Sequence, residues 1–278
     1  MNNSGTALSP AVELRTRILS GSVLIVAVVL AVLGGSLVFS ILVAIGAVFG
    51  LREWHRLVNN GALAWETFPA ALAIIAAVIL THNDPTHYSA FFALLLGAVA
   101  VAIVAALRRS SVAWHVIGVV YIGIPTLALV EMREIPNYGG VVVGGIFAAV
   151  WAADTGALFV GRFLGGPKLA PLLSPKKTWS GFVGGLVLAA AAEIIYVAYW
   201  GGAIGQGALF GILLGIAATC GDLFESWVKR VFRTKNSGNL IPGHGGMLDR
   251  VDSLLFAAPV AVAVHLFFGT QSLFGGHP

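Results

Sequence analysis

The chain is 278 residues long, 58% hydrophobic and only 10% charged, with a net charge of +4 and a mean hydropathy of +0.92. Soluble domains carry about 25% charged residues, so the composition excludes an ordinary cytosolic globule, a disordered chain and a nucleic-acid-binding domain. The single cysteine, Cys220, excludes a disulfide scaffold, and a basic excess in so apolar a chain marks membrane orientation.

A membrane helix takes about 20 apolar residues. Nine stretches qualify, roughly 17–34, 36–51, 62–80, 88–107, 112–130, 139–160, 180–200, 204–221 and 251–270. The first two meet at Gly34-Gly35-Ser36 and read as two spans or one tight hairpin. The first lacks a small-residue cleavage site before a polar chain, so it does not read as a signal peptide. With the N-terminus cytoplasmic, every Lys and Arg except Arg133 falls inside, which satisfies the positive-inside rule for all nine spans together. The expected fold is all-α, a polytopic integral membrane bundle of about nine helices. Residues 1–138 supply the N-terminal helices and 139–278 the C-terminal helices with their cytoplasmic loops, within one membrane domain.

Two inside segments are long, about 161–179 and 222–250, and loops carry function more often than their length suggests. Just ahead of the first, Asp154 lies near the inner end of the sixth span. A carboxylate there is costly; it faces a cavity or partner, or it snorkels to the interface and pairs with Arg162. Ser174-Pro175-Lys176-Lys177-Thr178-Trp179 then precedes the seventh span. Proline suits a first helical turn, whereas two lysines at a helix start oppose the macrodipole. An anion would relieve that conflict, since exposed N–H groups, Thr178 and two ammonium groups suit a phosphate. The alternative is a positive-inside anchor with Trp179 in the interfacial belt.

The second long segment continues the eighth helix. Asp222, Ser226, Lys229 and Arg233 fall on one helical face, with Glu225 four residues before Lys229. Asn236-Ser237-Gly238-Asn239 is a turn cluster. Pro242-Gly243-His244-Gly245-Gly246 can form an anion-binding nest. Asp249, Arg250 and Asp252 open the last span, where carboxylates also simply suit a helix start. If the eighth and ninth helices are neighbours, Asp222 and Asp249 converge. Hard oxygen ligands of that kind suit Mg²⁺ together with substrate phosphates. No Walker A motif is present. Cys220 reads as packing, His115 as a packed or cavity-facing residue, and Glu193 as a buried acid without an assigned role.

Ser226, Lys229-Arg230, Lys235, Pro242, His244-Gly245-Gly246, Asp249-Arg250 and Asp252 resemble the signature of the phosphatidate cytidylyltransferase family. Trp151–Ala157 and Ser174–Trp179 are similar to that family too. The matching segments span Trp151 to Ser253, over a third of the chain. One departure is Asn236, where the family has an acidic residue. The resemblance implies transfer of CMP from CTP to phosphatidic acid, giving CDP-diacylglycerol and pyrophosphate, with Mg²⁺ or another divalent cation. It implies Asp222 and Asp249 as metal ligands, and these two with Lys176, Lys177 and Lys229 as the catalytic set. Substrate contacts would come from Asp154, Ser174, Thr178, Ser226, Arg230, Lys235, His244, Gly245, Gly246, Arg250 and Asp252.

The expected partners are CTP, phosphatidic acid and the bilayer, with no nucleic acid and a homodimer only as a general prior. The expected setting is a bacterial plasma (inner) membrane, with the site facing the cytoplasm. A CTP-dependent lipid kinase would use the same groups and yield CDP. A transporter would favour mid-membrane charges and paired repeats, which the sequence does not show. The CDP-alcohol phosphotransferase class carries a different aspartate-rich motif that is absent here.

Overall fold

A computed structural model describes residues 10–83, 88–234, 236–238, 240–241 and 245–275. Among these the chain forms α1 (Pro10–Leu33), α2 (Ser36–Val58), α3 (Thr67–Asn83), α4 (Tyr88–Leu107), α5 (Val112–Glu134) and α6 (Gly139–Leu164). There follow β1 (Lys168–Ala170), β2 (Ser174–Thr178), α7 (Trp179–Tyr199), α8 (Ile204–Val231), α9 (Leu248–Phe268) and α10 (Thr270–Phe274). Helices dominate because a spanning segment must satisfy its own backbone in lipid. Seven of them, α2 and α4 to α9, are long and apolar enough to cross a membrane; α3 and the apolar part of α1 (Leu19–Leu33) are shorter. The first two spans are separate helices joined at Gly34-Gly35.

Several helices overrun their apolar stretches. α2 continues through Arg52-Glu53-Trp54-His55-Arg56, and α8 runs to Val231. The overhangs persist because tertiary partners receive them. Trp54 Nε1 donates to Trp114 O at 2.8 Å, and its ring lies over Gly118 of α5. Past Phe232, Arg233 adopts a left-handed φ of 54°, so it leaves the face shared by Asp222, Ser226 and Lys229. The small α10 turns Leu273 and Phe274 into the core.

The core has two clusters. One joins α2, α3, α4 and α5 with Val228, Leu248 and Leu255. The other joins α5, α6, α8 and α9 with the chain's end. Because α5 and α9 contribute to both, the two sets of helices are knitted together, and α5 is the most enclosed span. Large apolar side chains of α1, α3 and α4, such as Val23, Leu72 and Leu95, are exposed, as suits a lipid-facing rim. At the end away from the hairpin, Arg133 donates to Val32 O at 3.0 Å. Glu134 there receives Ser36 Oγ and lies 2.8 Å from His82 Nδ1. Glu193 is fully buried in α7, with neither carboxylate oxygen hydrogen-bonded. Cys220 is exposed on α8 rather than packed.

The β-hairpin was not expected. Lys168 pairs with Thr178 and Ala170 with Ser174, so Lys176 and Lys177 lie in a strand and α7 starts only at Trp179. The predicted conflict between two lysines and the start of a helix therefore does not arise. Backbone pairing with β1 carries the extended conformation through Thr178, whose hydroxyl caps α7 by accepting from Gly181 N at 3.1 Å.

Close approach of backbones positions the site. A Cβ on Gly221 would fall 2.3 Å from Asp252 O, which sets α8 against α9 at the functional end. A Cβ on Gly205 of the same helix would meet nothing within 4 Å. Gly221→Val is therefore expected to destabilise the protein by about 2 kcal/mol or more through overpacking. Gly205→Ala should be neutral or slightly stabilising. Denaturant unfolding of both variants in detergent measures the contrast.

Candidate active site

Successive turns at the end of α8 present Asp222, Glu225, Ser226 and Lys229. Lys177 Nζ, projecting from β2, lies 2.6 Å from Asp222 Oδ2, and Ser226 Oγ donates to Asp222 Oδ1 at 3.4 Å. Lys229 Nζ donates to Glu225 Oε2 and to Asp249 Oδ1, both at 2.8 Å. Asp249 Oδ2 accepts from Gly246 N at 2.9 Å and Ser237 N at 3.2 Å. One lysine and one aspartate thus tie the end of α8 to the start of α9 and to the loop between them.

A fourth carboxylate completes this frame. Glu53, on the overhang of α2, accepts from Met247 N at 2.9 Å through Oε1. Its Oε2 accepts from Leu248 N at 3.0 Å and Ser237 Oγ at 3.1 Å. An acid at a helix N-terminus satisfies orphan N–H groups and suits the macrodipole. Here it reaches α9 from a distant helix.

Beside the frame lies a wall of carboxylates. Asp154 on α6 accepts from Ser253 Oγ at 3.4 Å and lies within electrostatic reach of Asp222, Lys177 and Arg250. Asp252 accepts from Ser253 N at 2.8 Å and faces Glu225 and Asp222. Tyr121 of α5 faces the same three acids, and its hydroxyl is buried without a partner. Four carboxylates from three helices therefore converge beside Lys177, Lys229 and Arg250. Like charges so close repel, and a site that balances them with cations suits anionic phosphates bound with a hard metal ion.

The expected residues separate into groups. Asp154, Lys177, Asp222, Ser226, Lys229, Asp249, Arg250 and Asp252 lie in one neighbourhood. Lys176 is exposed on β2. Ser174 is paired in the hairpin, and Thr178 is buried as a helix cap. Arg230 Nε donates to Leu173 O at 3.5 Å, linking α8 to the hairpin. Gly245 adopts φ +87° and bridges Ile241, while the amide of Gly246 serves Asp249. Asn236 is exposed. Lys235 and His244, with Pro242 and Gly243, lie outside the described residues. Sequence reasoning missed Glu53 and Tyr121 and read Glu225 only as a helix ion pair. The one available signal for Glu53 was an acid among arginines just past an apolar stretch.

Among the described residues, no three His, Cys, Asp or Glu side chains stand ready-grouped for a metal ion. Both oxygens of Asp249 are engaged by Lys229 and two amides. The donor chemistry of Asp154, Asp222, Glu225 and Asp252 nevertheless fits a hard divalent cation, although Glu225 and Asp252 also hydrogen-bond to each other.

Removing the Glu53 carboxylate leaves three donors without their acceptor. Glu53→Ala should cost about 3 kcal/mol of stability, and hydrogen exchange should speed up at Met247 and Leu248. Unfolding and exchange measurements in detergent check this.

Residues 15–268 match the family model described as the cytidylyltransferase family. The chain is 46% identical over 151 residues to phosphatidate cytidylyltransferase of Brucella suis, covering 54% of this chain and 56% of that protein. It is 32% identical over 264 residues to phosphatidate cytidylyltransferase of Bacillus subtilis, covering 89% of this chain and 96% of that one. The Haemophilus influenzae protein of the same name is 42% identical over 143 residues, covering 49% and 50%. The match thus spans just over half of the Brucella relative and nearly all of the Bacillus one. With its family model running from the first helix to the last long one, the chain belongs to the cytidylyltransferase family.

Proposed function

We propose that the protein transfers CMP from CTP to phosphatidic acid, releasing pyrophosphate and forming CDP-diacylglycerol. The active site then faces the cytoplasm from a bacterial plasma membrane, with a homodimer as the default assembly. The carrying observation is the convergence of Asp154, Asp222, Glu225 and Asp252 on Lys177, Lys229 and Arg250. The names of the relatives and the clustering of basic residues on one side of the spans support the same reading.

A phosphatidate oxygen forms the new bond to the α-phosphorus of CTP. The bond from that phosphorus to the β-phosphate bridging oxygen breaks, and its electron pair leaves with pyrophosphate. The nucleophile is already anionic, so no strong general base is needed. The barrier is repulsion between anions, which positioned cations lower. Lys177 and Arg250 hold phosphate oxygens. Lys229 keeps Asp249 and the loop in register, and its ammonium adds positive potential. Asp222, with Asp154 beside it, would hold a divalent ion, which would supply further charge neutralisation at the phosphates. The acyl chains stay in lipid while the head group meets the nucleotide at the surface.

The test is turnover of purified protein in detergent with phosphatidic acid, Mg²⁺ and CTP labelled in the cytosine ring. Ring label in the lipid phase with pyrophosphate release is the expected result. CDP formation without lipid label would replace this reading with a CTP-dependent lipid kinase. Asp222→Asn should lower the rate by about 100-fold or more while the protein still folds. Asn236→Asp, which restores the acidic residue of the family pattern at an exposed position, should preserve or raise the rate in the same assay.

A further inference from the structure

A concavity adjoins the loop that Glu53 and Asp249 hold. It has a volume of about 510 Å³ and is lined by Arg52, Arg56, Asn60, Thr234, Ser237 and Gly238, among others. That volume falls within the range of about 300–1,000 Å³ typical of small-ligand sites. Arg52 and Arg56 stand one helical turn apart on the α2 overhang, so both guanidinium groups serve one cavity. Arg52 is exposed and has no ion-pair partner among the described residues. Arg56 donates to Gly61 O at 3.2 and 3.4 Å through Nη2 and Nε, which holds its planar fork at the rim. Thr234 Oγ1 in the wall is buried without a hydrogen-bond partner. Glu53 also lines the cavity, but its oxygens are engaged by Ser237, Met247 and Leu248.

Guanidinium groups in a concave site favour phosphate, which they grip with paired charge-assisted hydrogen bonds. Ser237 faces this cavity while its amide donates to Asp249, so one loop residue touches both sites. The lining offers only Leu57, Phe232 and Leu240 as large apolar side chains among the described residues, which suits a polar ligand better than acyl chains. We propose that this cavity is the subsite for the polyphosphate end of the nucleotide, with Arg52 and Arg56 holding the phosphates that leave as pyrophosphate. The assignment rests on the cytidylyl-transfer reading and extends it to residues outside the family signature.

Steady-state kinetics in detergent, with CTP and phosphatidic acid varied in turn, test it on Arg52→Gln, Arg56→Gln and the double variant. The expected result is a KM for CTP raised about tenfold per arginine and weaker inhibition by pyrophosphate, with the KM for phosphatidic acid unchanged. Arg52→Lys should recover part of the loss. Arg162→Gln, an exposed basic residue elsewhere, should leave the KM for CTP unchanged. An unchanged KM for CTP in the double variant overturns the proposal, as does an equal rise with Arg162→Gln, which would make the effect one of general surface charge. A raised KM for phosphatidic acid alone would transfer the cavity to the lipid phosphate. Titration calorimetry with inorganic pyrophosphate on the folded proteins reads the same site without turnover. If the unaltered protein binds pyrophosphate but transfers no CMP, the functional reading fails while the subsite stands; equal binding by the double variant removes the subsite.

Discussion

Glu53 and Asp249 hold the loop on which the candidate site is built. Between them they accept from the amides of Ser237, Gly246, Met247 and Leu248, from the Ser237 hydroxyl and from Lys229. The loop joins two helices of a membrane bundle, where an unsatisfied amide or an unpaired carboxylate is costly. Pairing them satisfies both at once, and it also sets the geometry. Lys229 can reach Asp249 only if α9 starts where Glu53 holds it, and Asp252 then faces Glu225 and Asp222 across the close contact at Gly221.

This dependence makes the N-terminal helices part of the site. The position of Glu53 is set by the rotation of α2, which is locked against α5 on the same overhang. Trp54 bonds to Trp114 O. His55 and His115, both fully buried, share a hydrogen bond between their Nδ1 atoms at 2.7 Å. His115 Nε2 lies 2.9 Å from Ser110 Oγ, which donates to Asn59 at 2.7 Å. Asn59 in turn donates to Glu66 at 3.2 Å. A buried polar network of this kind specifies one arrangement because each partner lost leaves another unsatisfied. Five residues that look unrelated in sequence thus fix the register of a sixth, Glu53, against α9.

The electrostatic logic is one of balance. The acids are costly together, and the lysines are costly apart from them. Lys177 reaches Asp222 only because the β-hairpin projects it there, and the hairpin is fastened to α7 by the Thr178 cap and to α8 by Arg230. On the proposed function, a phosphate-bearing substrate would enter such a site by exchanging one set of ion pairs for another, which keeps the net change in desolvation small.

The sequence by itself determined the class of the protein and showed where its charged residues gather. Apolar length alone marks nine helices, since a backbone in lipid has no partner but itself. The charge left over collects in the two long loops, and Asp222, Lys229 and Asp249 stand out there because ionisable residues are rare elsewhere. Glu225 and Lys229 were legible as a pair because helical spacing is local. The strand at Lys176 and Lys177 was not legible, because the pairing of β1 with β2 overrides the proline's hint of a helix start. Only the tertiary structure decided which carboxylates face each other, and it recruited Glu53 and Tyr121. Their partners lie on helices remote in the chain, and no periodicity records which face of one helix meets another. The fate of Asp249 was decided in the same way. Sequence marks it as a metal-ligand candidate and an acid beside a helix start, and the fold adds the bonds from Lys229, Ser237 and Gly246 that clasp the loop.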